Sequence, residues 1–317
     1  MEHQNDNARK RWGQSRRLAF IDLRLQYDGQ INRRDLISFF DISVPQASTD
    51  LANYQKLAPK NLEYDASSRT YVALDTFQPV FGRSAATTYL DELHRLERGV
   101  IDREESFVGF APPTGVVSTP SRAIEASEVA VIVRAIRDRL ALRVSYQSMD
   151  DAGPLDRVIT PHALGFDGLR WHTRAWCHGR AIFRDFAIGR LVVRGVEDGV
   201  GDIDPQADKG WSTVVTVVLV PNPGLSPAQR KMVMRDYEMK NGRAKLECRK
   251  AMLFYTLRHL NLESAEVSNR PAQQHVIVHN REEVDRWVVE DRAGKTGPSQ
   301  PDLVRLGRRR SSATELT

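Results

Sequence analysis

Arginine, histidine and aromatic side chains alternate along the stretch of chain from Leu142 to Val196. Cationic groups interleaved with aromatic rings suit phosphates and stacked bases. Neighbouring side chains of an extended strand point to opposite faces, so Arg170, His172 and Arg174 share one face and Trp171 lies on the other. The pattern predicts an anion-binding pocket on the His172 face. Its candidate residues are Tyr146, Ser148, Arg157, His162, Arg170, His172, Arg174, Arg184 and Arg190.

The same residues have structural alternatives. Any one of the arginines can instead form a surface ion pair with Asp156 or Asp185. Trp171 can instead be an aromatic residue of the hydrophobic core, since large rings contribute much of the apolar area that a domain buries. The sequence alone leaves both alternatives open.

Catalysis by histidine is an alternative function for this stretch. A hydrolase could use His162, His172 or His178, but it needs a nucleophile or a metal held in geometry. The sequence contains no His-Glu-x-x-His, no phosphate-binding P-loop and no Gly-x-Ser-x-Gly motif. Cys177 and Cys248 cannot form a disulfide framework or a zinc site by themselves, and they fit a reducing compartment. We therefore predict a protein that is not an enzyme and binds no cofactor and no metal.

A second set of polar residues lies in a helix predicted from Ser43 to Gln55. Ala47 and Leu51 are expected to face the domain core, which leaves the polar side chains to solvent or DNA. Gln and Asn suit bidentate contacts with adenine, Ser and Thr can contact a base or a phosphate, and Arg and Lys suit phosphates. The candidate DNA-binding residues are Arg33, Arg34, Pro45, Gln46, Ser48, Thr49, Asn53 and Lys56, with Lys60 as a further phosphate contact.

The elements around that helix follow a winged helix-turn-helix pattern over residues 1–82. A helix from Arg16 to Tyr27 precedes a helix capped by Asn32, the Ser43 helix, and two strand-like runs, 62–64 and 71–74, that predict a hairpin. In such a motif the second helix enters the major groove of DNA. These folds also serve as protein-interaction modules. Asp50, expected on the exposed face, favours that alternative because a carboxylate repels phosphate.

The remaining chain divides into three further segments and a tail. Apolar residues at helical spacings predict a helical connector over 83–140, interrupted at 112–115 by Pro-Pro-Thr-Gly. Short strand patterns at close spacing predict a small β-barrel over 141–200. A strand, two helices and a strand predict a βαβ-like or ferredoxin-like unit over 210–290, and 291–317 is expected to be a disordered basic tail. The predicted fold class is multidomain α+β.

Length, charge and hydropathy agree with a multidomain protein that binds a polyanion. The chain has 317 residues, more than the roughly 100–200 of one domain, so two or three units are expected. The formal net charge is +5, and basic residues cluster at 9–11, 16–17, 33–34 and 308–310, which favours a polyanionic partner. No apolar stretch approaches a membrane span or a signal peptide, so we expect a cytoplasmic location.

The stretch from Leu142 to Val196 resembles the WYL domain of bacterial transcriptional regulators. The resemblance rests on four runs of residues, 144–148, 157–162, 168–176 and 184–191. The tripeptide that names the family is replaced here by Trp171-His172-Thr173. The flanking pattern, with His162 after a proline, is similar to the subgroup that regulates antiphage-defence operons of the CBASS and BREX kinds.

The resemblance covers nearly the whole chain up to about Val289 and implies two further features. One is a small Sm-like β-barrel that binds a negatively charged effector, a nucleic-acid fragment or a nucleotide. The other is a C-terminal dimerisation domain over residues 210–290. We therefore hypothesise a homodimeric repressor of an antiphage-defence operon that the effector releases from double-stranded operator DNA; activation is equally allowed. The alternative is a non-transcriptional adaptor that binds single-stranded nucleic acid through the barrel.

Overall fold

The chain folds into two compact units, residues 1–118 and residues 119–317. The computed structural model describes residues 2–82, 85–149, 151–199, 202–264 and 270–295, with side chains described from residue 12 to residue 291 of these ranges. The first unit has one hydrophobic core and the second has two. Within the described ranges, no helix is both long and apolar enough to cross a membrane.

The first unit is a winged helix-turn-helix domain. Its elements are α1 (Glu2–Asp28), β1 (Gln30–Ile31), α2 (Arg33–Phe40), α3 (Val44–Leu57), β2 (Leu62–Asp65), β3 (Thr70–Ala73) and α4 (Ala86–Glu97). The strands pair antiparallel in the order β1-β3-β2, and the β2–β3 hairpin is the wing. Phe20, Leu36 and Leu51 are buried in a common core of α1, α2 and α3. The predicted winged helix is therefore confirmed, with α1 beginning well before the predicted start at Arg16.

Side-chain caps fix where the two helices of the motif begin. Asn32 accepts a hydrogen bond from the backbone N–H of Asp35 at 3.1 Å, and the Asp35 carboxylate accepts one from the N–H of Asn32 at 2.7 Å. This is a reciprocal capping box. Ser43 accepts from the N–H of Gln46 at 3.3 Å, and Pro45 sits in the first turn, where its missing N–H has no helical partner to lose. Helix α3 therefore starts where the sequence predicts.

The predicted connector, residues 83–140, contains two helices that belong to different units. Helix α4 packs in the first unit, where Tyr89 stacks on Tyr27 with ring centroids 3.8 Å apart. Residues 106–125 carry no helix or strand. Helix α5 (Ala126–Asp138) packs in the second unit through Ile132 and Ala135. Helix therefore covers only part of the predicted connector, and residues 83 and 84 lie outside the described ranges.

The second unit opens with a five-stranded antiparallel sheet, as the strand patterns predict. Its strands are β4 (Ala141–Tyr146), β5 (Leu155–Phe166), β6 (Trp171–Cys177), β7 (Ile182–Ala187) and β8 (Leu191–Glu197). They pair in the order β7-β6-β5-β4-β8, so consecutive strands β7 and β8 lie at opposite ends of the order. Only the short 3-10 turn Ile188–Arg190 joins them. Because three residues span a short distance, the sheet must curl, as it does in a small barrel.

The C-terminal module combines a second sheet with helices. Its elements are α6 (Lys209–Ser212), β9 (Val214–Pro221), α7 (Pro227–Asp236), β10 (Ala244–Arg249), α8 (Leu253–His259), β11 (Val276–Val278) and α9 (Arg281–Lys295). The strand order is β10-β9-β11. The βαβ-like interpretation is wrong, because β9 pairs antiparallel with both neighbours. Helix α9 also extends to Lys295, so the predicted tail is helical at its start, and residues 296–317 lie outside the described ranges.

Candidate nucleic-acid and effector sites

Helix α3 presents a narrow polar face opposite its core side. Ala47, Leu51 and Tyr54 are buried. Asp50 is buried as well, although the sequence analysis expected it to be exposed. Its partner explains the difference, because the Nε of Arg17 on α1 donates to the Asp50 carboxylate at 2.6 Å. The Asp50 carboxylate therefore does not lie on the exposed face of α3, where it would repel DNA phosphates.

The centre of the exposed face is formed by residues at helical spacings of three and four. These are Pro45, Thr49, Ala52 and Lys56, all exposed. Ala52 was missed by the sequence analysis, although the buried positions Ala47, Leu51 and Tyr54 define the opposite face and could have identified it. The predicted phosphate-contacting residues Arg33, Arg34, Lys56 and Lys60 are also exposed.

The predicted base-reading residues flank that face. Gln46 is half-buried, and its amide donates to the Asp50 carboxylate at 3.1 Å. The Ser48 hydroxyl donates to the Val44 carbonyl at 3.0 Å, and Arg33 donates to Ser48 at 3.4 Å. Asn53 is half-buried on the other flank. The central positions of the helix are therefore better exposed to a partner than the three predicted readers.

The curled sheet carries a cluster of arginines with few negative partners. Arg157 is almost fully buried, and it donates to Asp151 at 3.2 Å. Its Nε is buried with no hydrogen-bond partner among the described residues. Burial, and then the neighbouring charge of Arg180, lower the pKa of Arg184, and the charge of Arg157 acts in the same direction. Like charges crowded in a low-dielectric site are stabilised by an added anion.

Two other predicted pocket residues lie beside this cluster. The ring of Tyr146 packs edge-on against Phe186 at 5.0 Å, and its hydroxyl accepts from the N–H of Ala187 at 3.4 Å. The guanidinium of Arg184 lies 5.7 Å from the centre of the Phe186 ring. The backbone N–H of Ser148 donates to Asp151, the partner of Arg157. The structure therefore brings together Tyr146, Ser148, Arg157 and Arg184, four of the nine residues that the sequence predicts for one pocket.

Arg170 and Arg190 line a separate cavity of about 280 Å³. Trp171 and Arg122 line it as well. Trp171 is 46% exposed, so its ring is available for stacking and is not a core residue. Among the described residues, none of the ion pairs involves Arg122, Arg170 or Arg190. Arg122 is not among the residues predicted for the pocket, because it precedes the predicted barrel in an extended segment.

That extended segment packs closely on the turn after β7. A Cβ atom on Gly189 would lie only 2.8 Å from the Ala123 carbonyl oxygen. A side chain larger than glycine would therefore displace the segment that carries Arg122. Arg190 follows Gly189 directly, and Arg122 precedes Ala123. The close approach of Gly189 to Ala123 therefore brings the side chains of Arg122 and Arg190 to the same cavity.

The other predicted pocket residues form internal pairs. Arg174 donates from Nε to Asp208 at 2.7 Å and from Nη1 to Asp185 at 3.2 Å. Asp185 is the ion-pair partner that the sequence left open as an alternative. His162 Nε2 lies 3.0 Å from Asp208. His172 and Arg174 are both buried, but Thr173 between them is buried as well, so burial does not distinguish the two faces of β6. Trp171, predicted on the opposite face from Arg170, lines the same cavity as Arg170. Within the described ranges, no group of three or more His, Cys, Asp or Glu side chains could hold a metal ion.

Three family profiles match separate parts of the chain. The BrxR transcriptional regulator winged helix-turn-helix domain matches residues 13–95. The WYL domain matches residues 128–194. The C-terminal dimerization domain of the BrxR transcriptional regulator matches residues 214–284. These three ranges correspond to the winged helix, the curled sheet with α5, and the C-terminal module.

Full-length relatives carry a common description, "DNA-binding transcriptional repressor CapW". The relative from Stenotrophomonas maltophilia is 63% identical over 288 residues, which cover 91% of this chain and 96% of the relative. The relative from Pseudomonas aeruginosa is 46% identical over 276 residues, and that from Escherichia coli is 45% identical over 274 residues. Each of these two alignments covers 86% of this chain and 91% of the relative.

Proposed function

Because the chain belongs to the CapW family of DNA-binding transcriptional repressors, we propose that it represses an antiphage-defence operon until a nucleic-acid or nucleotide effector binds. It is a non-enzymatic regulator with a winged helix, a WYL domain and a C-terminal dimerisation domain.

The exposed face of α3 supports operator reading. Thr49 and Lys56 lie about two turns apart on that face, with Arg33 and Arg34 exposed in the first turn of the preceding helix. In a winged helix this helix lies in the major groove, and flanking cations position it on phosphates. We propose that Thr49 contacts base edges and that Lys56 contacts phosphate, with Gln46, Ser48 and Asn53 at the margins.

The excess of arginine in the WYL domain is the observation that carries the effector proposal. Arg157, Arg180 and Arg184 lie close together with one carboxylate partner among the described residues, Asp151. A buried guanidinium nitrogen of Arg157 has no partner in the same part of the chain. Arg184 lies on β7, and the turn that follows β7 carries Arg190, which faces Arg122, Arg170 and Trp171 across the cavity. This arrangement suits a ligand that carries several phosphates and a base that can stack on an aromatic ring.

A mobility-shift titration at a fixed salt concentration tests both steps. The duplex is the DNA immediately upstream of the gene that encodes the protein, compared with a scrambled duplex of the same length. A terminally phosphorylated single-stranded DNA of about five nucleotides serves as effector probe, because single-strand sites span roughly 4–16 nucleotides. We expect specific binding to the upstream duplex and its loss as the probe is added.

Matched variants separate the two sites. Lys56→Ala is expected to weaken binding to both duplexes and to lower the slope of log affinity against log salt by about 0.9, the value for one phosphate contact. Lys231→Ala, which removes an exposed lysine of α7, is the control.

Arg184→Ala and Arg190→Ala are expected to keep operator affinity and to lower the affinity for the probe about tenfold or more, because a charge-assisted hydrogen bond contributes about 1.5–3 kcal/mol.

Arg143→Ala is the control for the effector variants, since Arg143 is an exposed arginine of β4 that pairs with Glu197 at 3.6 Å. Equal, weak binding of the wild-type protein to both duplexes would refute operator reading and favour the adaptor. Specific duplex binding that the probe never weakens would refute the effector step.

A further inference from the structure

A buried polar network joins the WYL sheet of the second unit to its C-terminal module. Arg174 on β6 binds both carboxylate oxygens of Asp208, at 2.7 and 3.0 Å. Asp208 lies in the linker between the two domains and caps α6 by accepting from the N–H of Trp211 at 3.1 Å. The same arginine lies 4.0 Å from Asp291 on α9 and 3.2 Å from Asp185 on β7. One guanidinium therefore holds a strand, the linker and a helix of the dimerisation domain.

The network continues from Asp185 towards the effector cavity. The Tyr255 hydroxyl on α8 donates to the Asp185 carboxylate at 3.3 Å. The Tyr255 ring packs against His172 with centroids 5.2 Å apart, and His172 Nε2 lies 2.9 Å from Asp167. Asp167 accepts from the backbone N–H of Arg170 at 2.6 Å. Arg170 is one of the residues that line the cavity of Arg122 and Arg190.

The turn that carries Arg170 also packs directly on the C-terminal module. Gly168 has a φ of +93° and lies so close to α8 that an added Cβ would be 2.7 Å from the His259 ring. Gly165, before the turn, would meet Met252 at 3.0 Å. Glycine is required here for both conformation and space. A displacement of this turn therefore moves the surface on which α8 is packed.

Burial makes the geometry of this network strict. The side chains of Arg174, Asp208, Asp185 and Asp291 are between 2% and 7% exposed. Burial alone would raise the pKa of Asp208, but hydrogen bonds from His162 and Arg174 hold it far below its ordinary value. In a low-dielectric site each pair depends strongly on distance, and a partly satisfied network costs more than an apolar contact. Such a network favours a small number of discrete arrangements over gradual deformation.

We infer that this network transmits effector binding at the Arg170 cavity to the dimerisation domain, with Arg174 and Tyr255 as positioning residues. The inference rests on the proposed function, since it requires an effector in that cavity. Binding at Arg170 and Trp171 shifts the 167–170 turn, and the contacts through His172, Tyr255 and Asp185 change how Arg174 holds the linker and α9. The dimerisation domain then takes a different arrangement, and operator affinity falls.

Two conservative variants test the inference. Tyr255→Phe keeps the ring against His172 and removes only the hydroxyl that donates to Asp185. Arg174→Lys keeps the charge but removes the planar fork that binds Asp208 through two nitrogens. Fluorescence anisotropy gives the operator Kd with and without a saturating amount of the phosphorylated single-stranded probe, and a separate titration gives the probe Kd. Tyr237→Phe, on an exposed tyrosine that ends α7, is the control.

The ratio of operator Kd with probe to operator Kd without probe measures the coupling, which is typically about 5–150-fold in allosteric proteins. We expect Tyr255→Phe and Arg174→Lys to reduce this ratio to near one, while probe affinity and operator affinity without probe stay within about twofold of wild type. A purely structural role predicts a lower Tm with an unchanged ratio, and that result would overturn the inference. If Arg174→Lys does not fold, Tyr255→Phe alone decides between these outcomes.

The outcome for the wild-type protein separates this inference from the proposed function. A wild-type protein that binds operator but does not respond to the probe overturns both the effector site and the inference. A wild-type response that both variants retain overturns the inference alone. Linkage adds a check, because the operator must weaken the probe by the same factor by which the probe weakens the operator.

Discussion

Asp50 fixes helix α3 against α1 from the inside of the winged helix. Its side chain is fully buried, whereas that of its partner Arg17 is 17% exposed. The carboxylate accepts from Arg17 at 2.6 Å and from the Gln46 amide at 3.1 Å. One acidic residue therefore holds two side chains, that of Arg17 on α1 and that of Gln46 on α3.

Replacing Asp50 by alanine is expected to lower the free energy of unfolding of the first unit by about 1–3 kcal/mol. The reason is that the mutation leaves the largely buried Arg17 side chain without its carboxylate partner, although its 17% exposure lets it recover part of its hydration. Urea unfolding followed by circular dichroism measures the change. Asp75→Ala, at an exposed position of the same unit, is the control. A loss for Asp50→Ala no larger than that of the control would contradict the assigned role.

The arginines of the barrel show what the sequence predicts at this scale and what it does not. Their residue type and strand alternation predict a shared basic site, and Arg157 and Arg184 do lie together. The sequence does not distinguish Arg174 from them, because its partner Asp208 is 34 residues away and is brought close only by folding. Arg122 is missed for the same reason, since only the packing of its segment on Gly189 places it in the cavity.

At the scale of elements, the turn of the wing is a self-contained hydrogen-bonded unit. Asp65 accepts from the hydroxyl of Ser67 at 2.7 Å, from the backbone N–H of Ser67 at 2.9 Å, and from the hydroxyl of Ser68 at 2.6 Å. These bonds favour the ionised carboxylate and lower the pKa of Asp65 to about 2. The Asx-type turn thus keeps the tip of the β2–β3 hairpin closed at neutral pH.

Nuclear magnetic resonance titration of the Asp65 carboxyl is expected to give a pKa of about 2. Because the folded pKa lies below the ordinary value of about 3.9, the turn contributes stability above that value and loses it as pH falls from about 4 towards 2. Ser67→Ala and Ser68→Ala should each raise the Asp65 pKa. Ser38→Ala, an exposed serine on α2, should leave it unchanged. If neither Ser67→Ala nor Ser68→Ala changes the pKa of Asp65, the hydrogen-bonded turn is refuted.

Elements with local signals are predicted well, and elements defined by distant partners are not. The Asn32 and Ser43 caps and the alternation in β4 to β8 place those elements within a few residues of where they lie. Strand β10 alternates between half-buried and exposed residues and carries lysine, glutamate and arginine outward, so its sequence resembles a polar loop. The antiparallel direction of β9 and its neighbours depends on pairing between separate segments, which periodicity does not encode.

At the scale of the whole molecule, the first compact unit has a hydrophobic core of its own. An aromatic cluster forms part of this core. The ring of Phe107 packs edge-on against those of Phe20 and Phe39, with ring centroids 5.3 Å and 5.2 Å apart. Phe107 lies beyond residue 95, where the match to the winged-helix profile ends. The segment after α4 is therefore part of the fold of the DNA-binding unit, although it carries no helix or strand of its own at this residue.

A fragment of residues 1–118 is expected to unfold cooperatively, while a fragment of residues 1–100 loses about 3–5 kcal/mol, the usual cost of removing a buried phenylalanine from a core. Thermal unfolding by circular dichroism measures the stability of both fragments.

The longer fragment should bind the upstream duplex about 10²–10⁴-fold more weakly than the full chain, because a dimer supplies its second winged helix at high effective concentration. Adding residues 119–317 as a separate chain should not restore affinity, since the covalent link provides that concentration. If the isolated fragment binds operator as tightly as the full chain, dimerisation does not contribute to operator binding. If the two fragments are equally stable, Phe107 does not contribute to the core of the first unit.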